Sequence, residues 1–295
     1  MTVFLFQTPL LPLPCPITGV TILGKAEWLQ RTGSIKDRAA KCMIEDAEEK
    51  GLLRPGGVII EATSGNLGIA LAALGAQKGY RVIIVMPDSM SMERRQRLSE
   101  LEAEIVLTPG SLGMAGAAEK AARLAQTTPG CFLVGQFENP ANALAHYRTT
   151  GPEIWAQTGG KVDILVAGVG TGGTVTGAGR FLKEKNPKMT VVAVEPAESS
   201  VLSGGKSGSH GIQGIGAGFV PKVLDIGVVD EILPITTADA FAAAKHLGAA
   251  GFPAGISAGA AYYAALLLAK RPENEGKTIV TILPDGAEKY HSLGL

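Results

Sequence analysis

The segment Ile164-Leu165-Val166-Ala167-Gly168-Val169-Gly170-Thr171-Gly172-Gly173-Thr174 joins an apolar run to a glycine-rich turn, and a helix-like stretch to Lys185 follows. The run Ile164 to Ala167 is hydrophobic throughout instead of alternating, the pattern of a strand buried on both faces of a parallel sheet. Glycines in the turn let backbone N–H groups approach an anion, and the helix after it adds the positive end of its dipole. Thr171 and Thr174 add hydroxyls. The physical reading is a phosphate cradle. Two other readings stay open on this string alone. It satisfies G-x-G-x-x-G at Gly168, Gly170 and Gly173, with Glu195 at a later strand end, so a dinucleotide site is a rival. A tight strand-to-helix turn with no ligand is the plainer one.

The same alternation extends outward in both directions. Strand-like runs cover Val58 to Glu61, Arg81 to Met86, Glu104 to Leu107 and Val191 to Val194. Helical stretches cover Leu67 to Lys78, Ser91 to Ala103, Met114 to Gln126 and Gly173 to Lys185. This predicts an α/β protein of two lobes, each a mostly parallel twisted sheet flanked by helices, with ligands at the strands' carboxyl ends. Two βαβ clusters, about residues 40–145 and 147–295, meet at the polar, turn-rich string QFENPANALAHYRTTGPE. A small ligand is expected in the cleft between the lobes.

Composition narrows the function classes. Apolar residues make up 46% of the 295-residue chain and charges 18%, as in a compact globule. Lysine plus arginine equals aspartate plus glutamate at 27 each, so no global field recruits nucleic acid or an anionic membrane. Three cysteines, Cys15, Cys42 and Cys131, form no C-x-x-C; this argues against a disulfide scaffold and a structural zinc site, and fits a reducing cytoplasm. No metal is expected. The apolar N-terminal run lacks a basic n-region and a cleavage site, so no secretory signal is expected. Gly251 to Ala269 is uncharged and nearly long enough to span a bilayer, but Pro253 and its small residues predict a loop followed by a buried alanine-rich helix.

Three more segments can carry chemistry. In Gly33-Ser34-Ile35-Lys36-Asp37-Arg38 a lysine opens a helix. It is either an ordinary exposed cation or an amine aimed into the cleft, desolvated so that it can form a Schiff base. In Glu61-Ala62-Thr63-Ser64-Gly65-Asn66-Leu67-Gly68 the hydroxyls and helix-start N–H groups can hold a carboxylate, or one polar residue can cap the helix. In Ala254-Gly255-Ile256-Ser257-Ala258-Gly259 the serine either caps a helix or hydrogen-bonds a ligand nitrogen.

Together these strings resemble the fold-type II pyridoxal-phosphate (PLP) enzymes, and most closely the cysteine synthases. GSIKDR, TSGN and GVGTGGT occur in that order, and MPDSMSMERR, TTGPEIW and HGIQGIGAGFVP extend the likeness over almost the whole chain. A dinucleotide enzyme has no use for the first two strings. The resemblance implies a smaller, mobile lobe at residues 37–146 carrying TSGN, and a larger PLP-binding lobe at 1–36 plus 147–295 carrying the phosphate loop. It implies that Lys36 holds PLP as an internal aldimine and that Gly170, Thr171, Gly172, Gly173 and Thr174 bind its phosphate. Asn66 would bond the ring hydroxyl oxygen and Ser257 the pyridine nitrogen. Thr63, Ser64, Gly65 and Gln136 would hold the substrate carboxylate, with Phe137 lining the pocket.

The implied reaction is β-replacement, O-acetyl-L-serine plus sulfide giving L-cysteine plus acetate through an α-aminoacrylate. Lys36 would act as general base, and lobe closure would exclude water. A neutral Ser257 hydroxyl makes the cofactor a weaker electron sink, which favours prompt elimination. The alternative is a related β-replacement, with O-phosphoserine as donor or homocysteine as acceptor, as in a cystathionine β-synthase. No arginine lies between Ile212 and Pro221 to hold a donor phosphate, which favours the acetyl ester. The sequence departs from the family at Leu67, where a threonine is usual, at Leu29-Gln30-Arg31-Thr32, at Gly211 and at Asp285-Gly286. The family further implies a homodimer and docking on a serine acetyltransferase.

Overall fold

The computed structural model describes residue 5, residues 7–90 and residues 92–295. Part of the apolar N-terminal run and Ser91, the expected start of one helix, lie outside the described residues. Along the chain the elements are β1 (Leu10–Pro12), β2 (Thr21–Ala26), α1 (Lys36–Glu49), β3 (Val58–Ala62), α2 (Asn66–Lys78), β4 (Arg81–Pro87) and α3 (Met92–Glu100). Then follow β5 (Glu104–Thr108), α4 (Gly113–Thr127), β6 (Cys131–Leu133), α5 (Ala141–Arg148), α6 (Thr150–Gln157), β7 (Ile164–Gly168) and α7 (Gly173–Lys185). The last are β8 (Thr190–Pro196), β9 (Glu231–Ile235), α8 (Thr237–Ala249), α9 (Ile256–Ala269) and β10 (Thr278–Leu283). They group into two compact units, one of Lys36–Ala141 and one of residues 7–35 with Asn142–Leu295.

In the first unit a parallel sheet has the order β5-β4-β3-β6. Ile59, Val82, Ile84 and Met86 pack with Met43, Ile44, Leu71 and Leu74 of α1 and α2. Val58, Ile60, Ile83 and Val85 point the other way, onto Ala117 and Ala121 of α4. With both faces covered, residues of either parity must be apolar, which is why these strands read as unbroken hydrophobic runs.

The second unit repeats the logic with a sheet of order β1-β2-β10-β7-β8-β9, parallel except for the β1–β2 pair. Ile164, Val166, Val192 and Val194 face α9 through Ala258, Tyr262 and Ala265, while Leu165, Ala167, Val191 and Ala193 face Val175, Ala178 and Leu182 of α7. Helix α9 is apolar all round because it is buried all round. Among the described residues no helix is long and apolar enough to cross a membrane.

Two differences from the sequence reading have clear causes. Strand β2 carries Lys25 next to its last residue, wholly buried, where it donates to the Thr8 carbonyl (2.6 Å) and pairs with the Glu153 carboxylate (2.7 Å). A partnered cation in a core strand breaks the apolar run that a periodicity search needs. The polar string around Asn142 to Glu153 is two short helices, α5 and α6, rather than turns. Its helix-neutral residues are held there by tertiary packing, which propensity does not register.

In both sheets the strand order reverses. The chain steps outward from β3 to β4 to β5 and returns on the far side of β3 with β6. It likewise steps from β7 to β8 to β9 and returns beside β7 with β10. Such reversals leave a crevice at the strands' carboxyl ends.

The second core is tied to its N-terminal segment by Tyr262, fully buried in α9, whose hydroxyl donates to the Pro14 carbonyl at 2.7 Å. Tyr262→Phe would leave that carbonyl without its donor. The variant is expected to lose about 1–2 kcal/mol of unfolding free energy, read as a lower urea midpoint at unchanged slope.

Candidate active site

At the β3–β6 reversal, β3 leaves the sheet through Glu61 and Ala62, and α2 starts at Asn66. The N-cap position of α2 is Gly65, which has no side chain to cap with, so neither Ser64 nor Asn66 fills it. The Thr63 hydroxyl accepts the Gly65 N–H at 3.2 Å and folds the loop back on itself. No atom lies within 4 Å of where a Cβ on Gly65 would stand, so the loop's tip is open. The first turn of α2 has N–H groups with no carbonyl four residues back to accept them, a setting that favours a carboxylate. Leu67, 1% exposed, packs into the core with Leu71 and Leu74. Its side chain faces away from any ligand here, and only its backbone can contribute.

Across the same reversal, β6 runs into Val134, whose N–H donates to the Ile60 carbonyl, and then into Gly135, Gln136 and Phe137. The Glu61 carboxylate, 3% exposed, accepts the N–H of Gly135 (2.8 Å) and of Gln136 (3.4 Å). The structure therefore brings the Thr63–Asn66 loop and the Gln136–Phe137 turn to one strand end. Burial pushes the Glu61 pKa up to about 7, against the opposing pull of the Gly135 and Gln136 donors and the Lys36 charge. Lys36, half-buried, opens α1 in this same unit.

At the β7–β10 reversal the glycine loop runs from Gly168 to the start of α7 at Gly173. A Cβ on Gly170 would stand 2.3 Å from the Gly214 carbonyl oxygen, and one on Gly173 2.1 Å from the Asn142 side-chain oxygen. Both approaches leave no room for a Cβ, so the loop presents bare backbone at the start of α7, where the Gly173 N–H donates to Thr171 Oγ1 at 3.3 Å. Bare backbone at a helix start is a setting that favours an anion.

Helix α5 orients the two threonines. Asn142 Nδ2 donates to Thr171 Oγ1 at 2.9 Å, and His146 Nε2 lies 3.3 Å from Thr174 Oγ1 while its Nδ1 contacts Thr150 Oγ1 at 2.8 Å. Asn142 and His146 were not singled out in the sequence. Their spacing of four on one helix face was the available signal.

Ser257, 3% exposed, is the second residue of α9, and its hydroxyl oxygen lies 4.0 Å from where a Cβ on Gly214 would stand. Gly214 thus abuts both Gly170 and Ser257. The loop after β10 lies against residues of this same unit. Its Pro284 carbonyl accepts the Ile35 N–H (2.8 Å), one residue before Lys36, and its Asp285 carbonyl accepts the Gly255 N–H (3.0 Å), two before Ser257. Tyr290 holds the Asp285 carboxylate at 2.6 Å. Among the described residues no cluster of three His, Cys, Asp or Glu is placed to hold a metal.

The fold is an α/β protein with a glycine-rich loop at one strand reversal, a hydroxyl-bearing loop at another, and a helix-opening lysine. A family model described as "Pyridoxal-phosphate dependent enzyme" matches residues 1–285. The chain is 51% identical over 273 residues to "Cysteine synthase 3" of Caenorhabditis elegans, covering 92% of this chain and 81% of that one. It is 47% identical to "Cysteine synthase B" of Campylobacter jejuni, covering 94% and 92%. The crystal structure of cysteine synthase (OASS) from Entamoeba histolytica superposes with a TM-score of 0.95 at 46% identity, over 98% of this chain and 88% of that one. The chain belongs to the pyridoxal-phosphate dependent enzymes, and PLP is its cofactor.

The raised Glu61 pKa has a consequence for stability. The folded chain holds a proton on Glu61 between the ordinary carboxylate value of 4.5 and about 7, where the unfolded chain does not. Stability from this group is therefore highest at the acid end of that window and falls as pH rises through it. The unfolding free energy of the parent minus that of Glu61→Gln is expected to drop by about 2–3 kcal/mol between pH 5 and pH 8, measured by urea denaturation. A difference flat with pH would mean that Glu61 titrates as an ordinary carboxylate.

Proposed function

We propose that the chain exchanges the β-substituent of a serine-derived amino acid, converting O-acetyl-L-serine and sulfide into L-cysteine and acetate. The observation that carries this reading is near-half identity to cysteine synthases over more than nine-tenths of the chain, with every implied ligand-binding string at a strand reversal or a helix start. Bound PLP supplies an electron sink for negative charge developing at the substrate's Cα.

The chain's own residues do the rest. Lys36 would hold the cofactor through its side-chain amine, and its Nζ would take the proton from the substrate's Cα. Gly170, Thr171, Gly172, Gly173 and Thr174 hold the cofactor phosphate through backbone N–H groups and hydroxyls that α5 orients. Asn66 donates to the ring oxygen. Ser257 bonds the ring nitrogen with a neutral hydroxyl, which stabilises a protonated ring less than a carboxylate would. Thr63, Ser64, Gly65 and Gln136 hold the α-carboxylate, and Phe137 lines the space beside it. The absence of arginine between Ile212 and Pro221 leaves nothing there to pair with a phosphate ester and supports the acetyl ester as donor. The same reading takes in a homodimer, docking on a serine acetyltransferase and a cytoplasmic setting; the lack of any disulfide among the described residues supports the last of these.

The visible spectrum of the purified protein tests the reading. A cofactor band is expected that shifts with O-acetylserine and not with O-phosphoserine or serine, together with cysteine formation that requires sulfide. Lys36→Ala is expected to lower kcat at least a thousandfold and to let PLP be dialysed away. No visible band after adding PLP would overturn the assignment, and a response to a different donor alone would replace the substrate.

A further inference from the structure

The turn that leads into Lys36 is fastened to the far end of the chain. The Ile35 N–H donates to the Pro284 carbonyl at 2.8 Å, and Ser34 forms an antiparallel bridge with Asp285. The carbonyls of Gly33 and Thr32 accept the Lys289 ammonium at 2.8 Å and 3.2 Å. Every residue from Thr32 to Ile35 is thus tied to the segment Pro284–Lys289. All of them belong to the second unit, and Lys36 is the first residue past it.

The ammonium's tie differs in kind from the other two. Its bonds to the two carbonyls are charge-assisted, and so stronger than a bond between neutral amides. Gly33 supplies the left-handed backbone, φ +76°, on which the turn depends, and a Cβ there would crowd Glu288 Oε1 at 3.3 Å. The anchor is itself held. The Ala287 N–H donates to the Pro253 carbonyl at 3.0 Å, and Tyr290 packs in this unit's core while its hydroxyl donates to Asp285 at 2.6 Å. The same segment accepts the Gly255 N–H and bridges Ala254, which fixes the start of α9 and with it Ser257. The turn before Lys36 and the helix of Ser257 therefore share one platform.

We propose that Lys289 is a positioning residue for Lys36, acting through the backbone of Thr32 and Gly33 to hold the turn from which the amine reaches out. This rests on the reading of Lys36 as the cofactor lysine given above. Proton removal from the substrate's Cα is sensitive to ångström displacements of the base. Retention of the cofactor is less so, because the lysine's four-carbon stem is flexible. Lys289 thus governs the rate of the proton step more than the binding of cofactor or substrate.

Lys289→Met keeps the apolar stem and removes the three N–H donors. In the protein freed of PLP, hydrogen exchange at the Ile35 amide is expected to speed up at least about tenfold more than at Val166 in β7. In the PLP-loaded protein, the shift of the cofactor band on adding O-acetylserine without sulfide is expected to slow about thirtyfold at saturation, with the half-saturating concentration within about threefold. Substrate deuterated at Cα is expected to slow it further, by a factor at least as large as in the parent. Gly33→Ala is a second route should Lys289→Met fail to fold. It keeps the ammonium but resists φ +76°, and the same slowing is expected. Tyr262→Phe, which loses a core hydrogen bond of this unit and none of these ties, is expected to react at the parent's rate.

Unchanged exchange at Ile35 in Lys289→Met would mean that the turn stands without the ammonium, and would overturn the proposal. So would an unchanged rate, loss of the isotope effect, a rise in the half-saturating concentration alone, or an equal slowing in Tyr262→Phe. A parent with no cofactor band, or one in which borohydride fixes the cofactor to a lysine other than Lys36, would instead overturn the reading of Lys36, with the exchange difference intact.

Discussion

A sheet covered on both faces consumes its own polarity. Interior N–H and C=O groups go into the ladder, and side chains on both faces are mostly apolar, with buried exceptions such as Lys25 and Glu61 held by partners. Polar groups that can meet a ligand are then confined to the strand ends, and most of all to the places where strand order reverses. This constraint orders both units of the protein. Thr63, Gly65 and Gln136 lie beyond the ends of β3 and β6, and the glycine loop and the Pro284–Gly286 segment beyond the ends of β7 and β10. Lys36 and Ser257 open helices, yet the residues just before them are bonded to that same Pro284–Gly286 segment.

Behind the residues of the candidate site stands a layer of buried polar side chains that holds them in place. Glu61 gathers Gly135 and Gln136, Asn142 holds the Thr171 hydroxyl, His146 faces the Thr174 hydroxyl, and Tyr290 holds Asp285. Each of these side chains is desolvated, and each is bonded. In a low-dielectric setting a satisfied hydrogen bond is strong and an unsatisfied group is costly, so such a layer rigidifies the site as long as it is complete. A site so supported holds its donors in place before substrate arrives, the condition under which binding energy is not spent on ordering them. The near-neutral titration of Glu61 is the visible cost of the arrangement: burial resists its charge while the turn's N–H groups call for it.

Part of the fold was legible in sequence from unbroken apolar runs, although β10, buried along most of its length, was not singled out. The runs at Val58, Arg81, Glu104, Ile164 and Val191 all became strands, and the stretches after Asn66, Gly113 and Gly173 became helices. Strand β2 was not legible because a partnered lysine sits within it, and β6 because three residues carry too little pattern. Helices α5 and α6 were hidden by polar residues that read as turns. Of the candidate site, the glycine loop was read from steric and dipole arguments, while the roles expected of Lys36, Asn66, Gln136 and Ser257 came from resemblance. Glu61, Asn142 and His146 were missed because a polar residue has the same letter whether it faces water or holds a buried partner.

What the sequence by itself determined is local: which segments are apolar on both faces, where backbone must come close to something, and where a helix begins beside a lysine or a hydroxyl. Those properties are set by neighbours a few residues apart, through periodicity and through the missing Cβ of glycine. Only the tertiary structure decided which polar groups are partners. Glu61 and Gln136 are 75 residues apart, and Ile35 lies far along the chain from the Pro284 carbonyl it bonds. Their meeting depends on the order in which parallel strands assemble, and that order is set by the packing of whole layers, which no local pattern encodes.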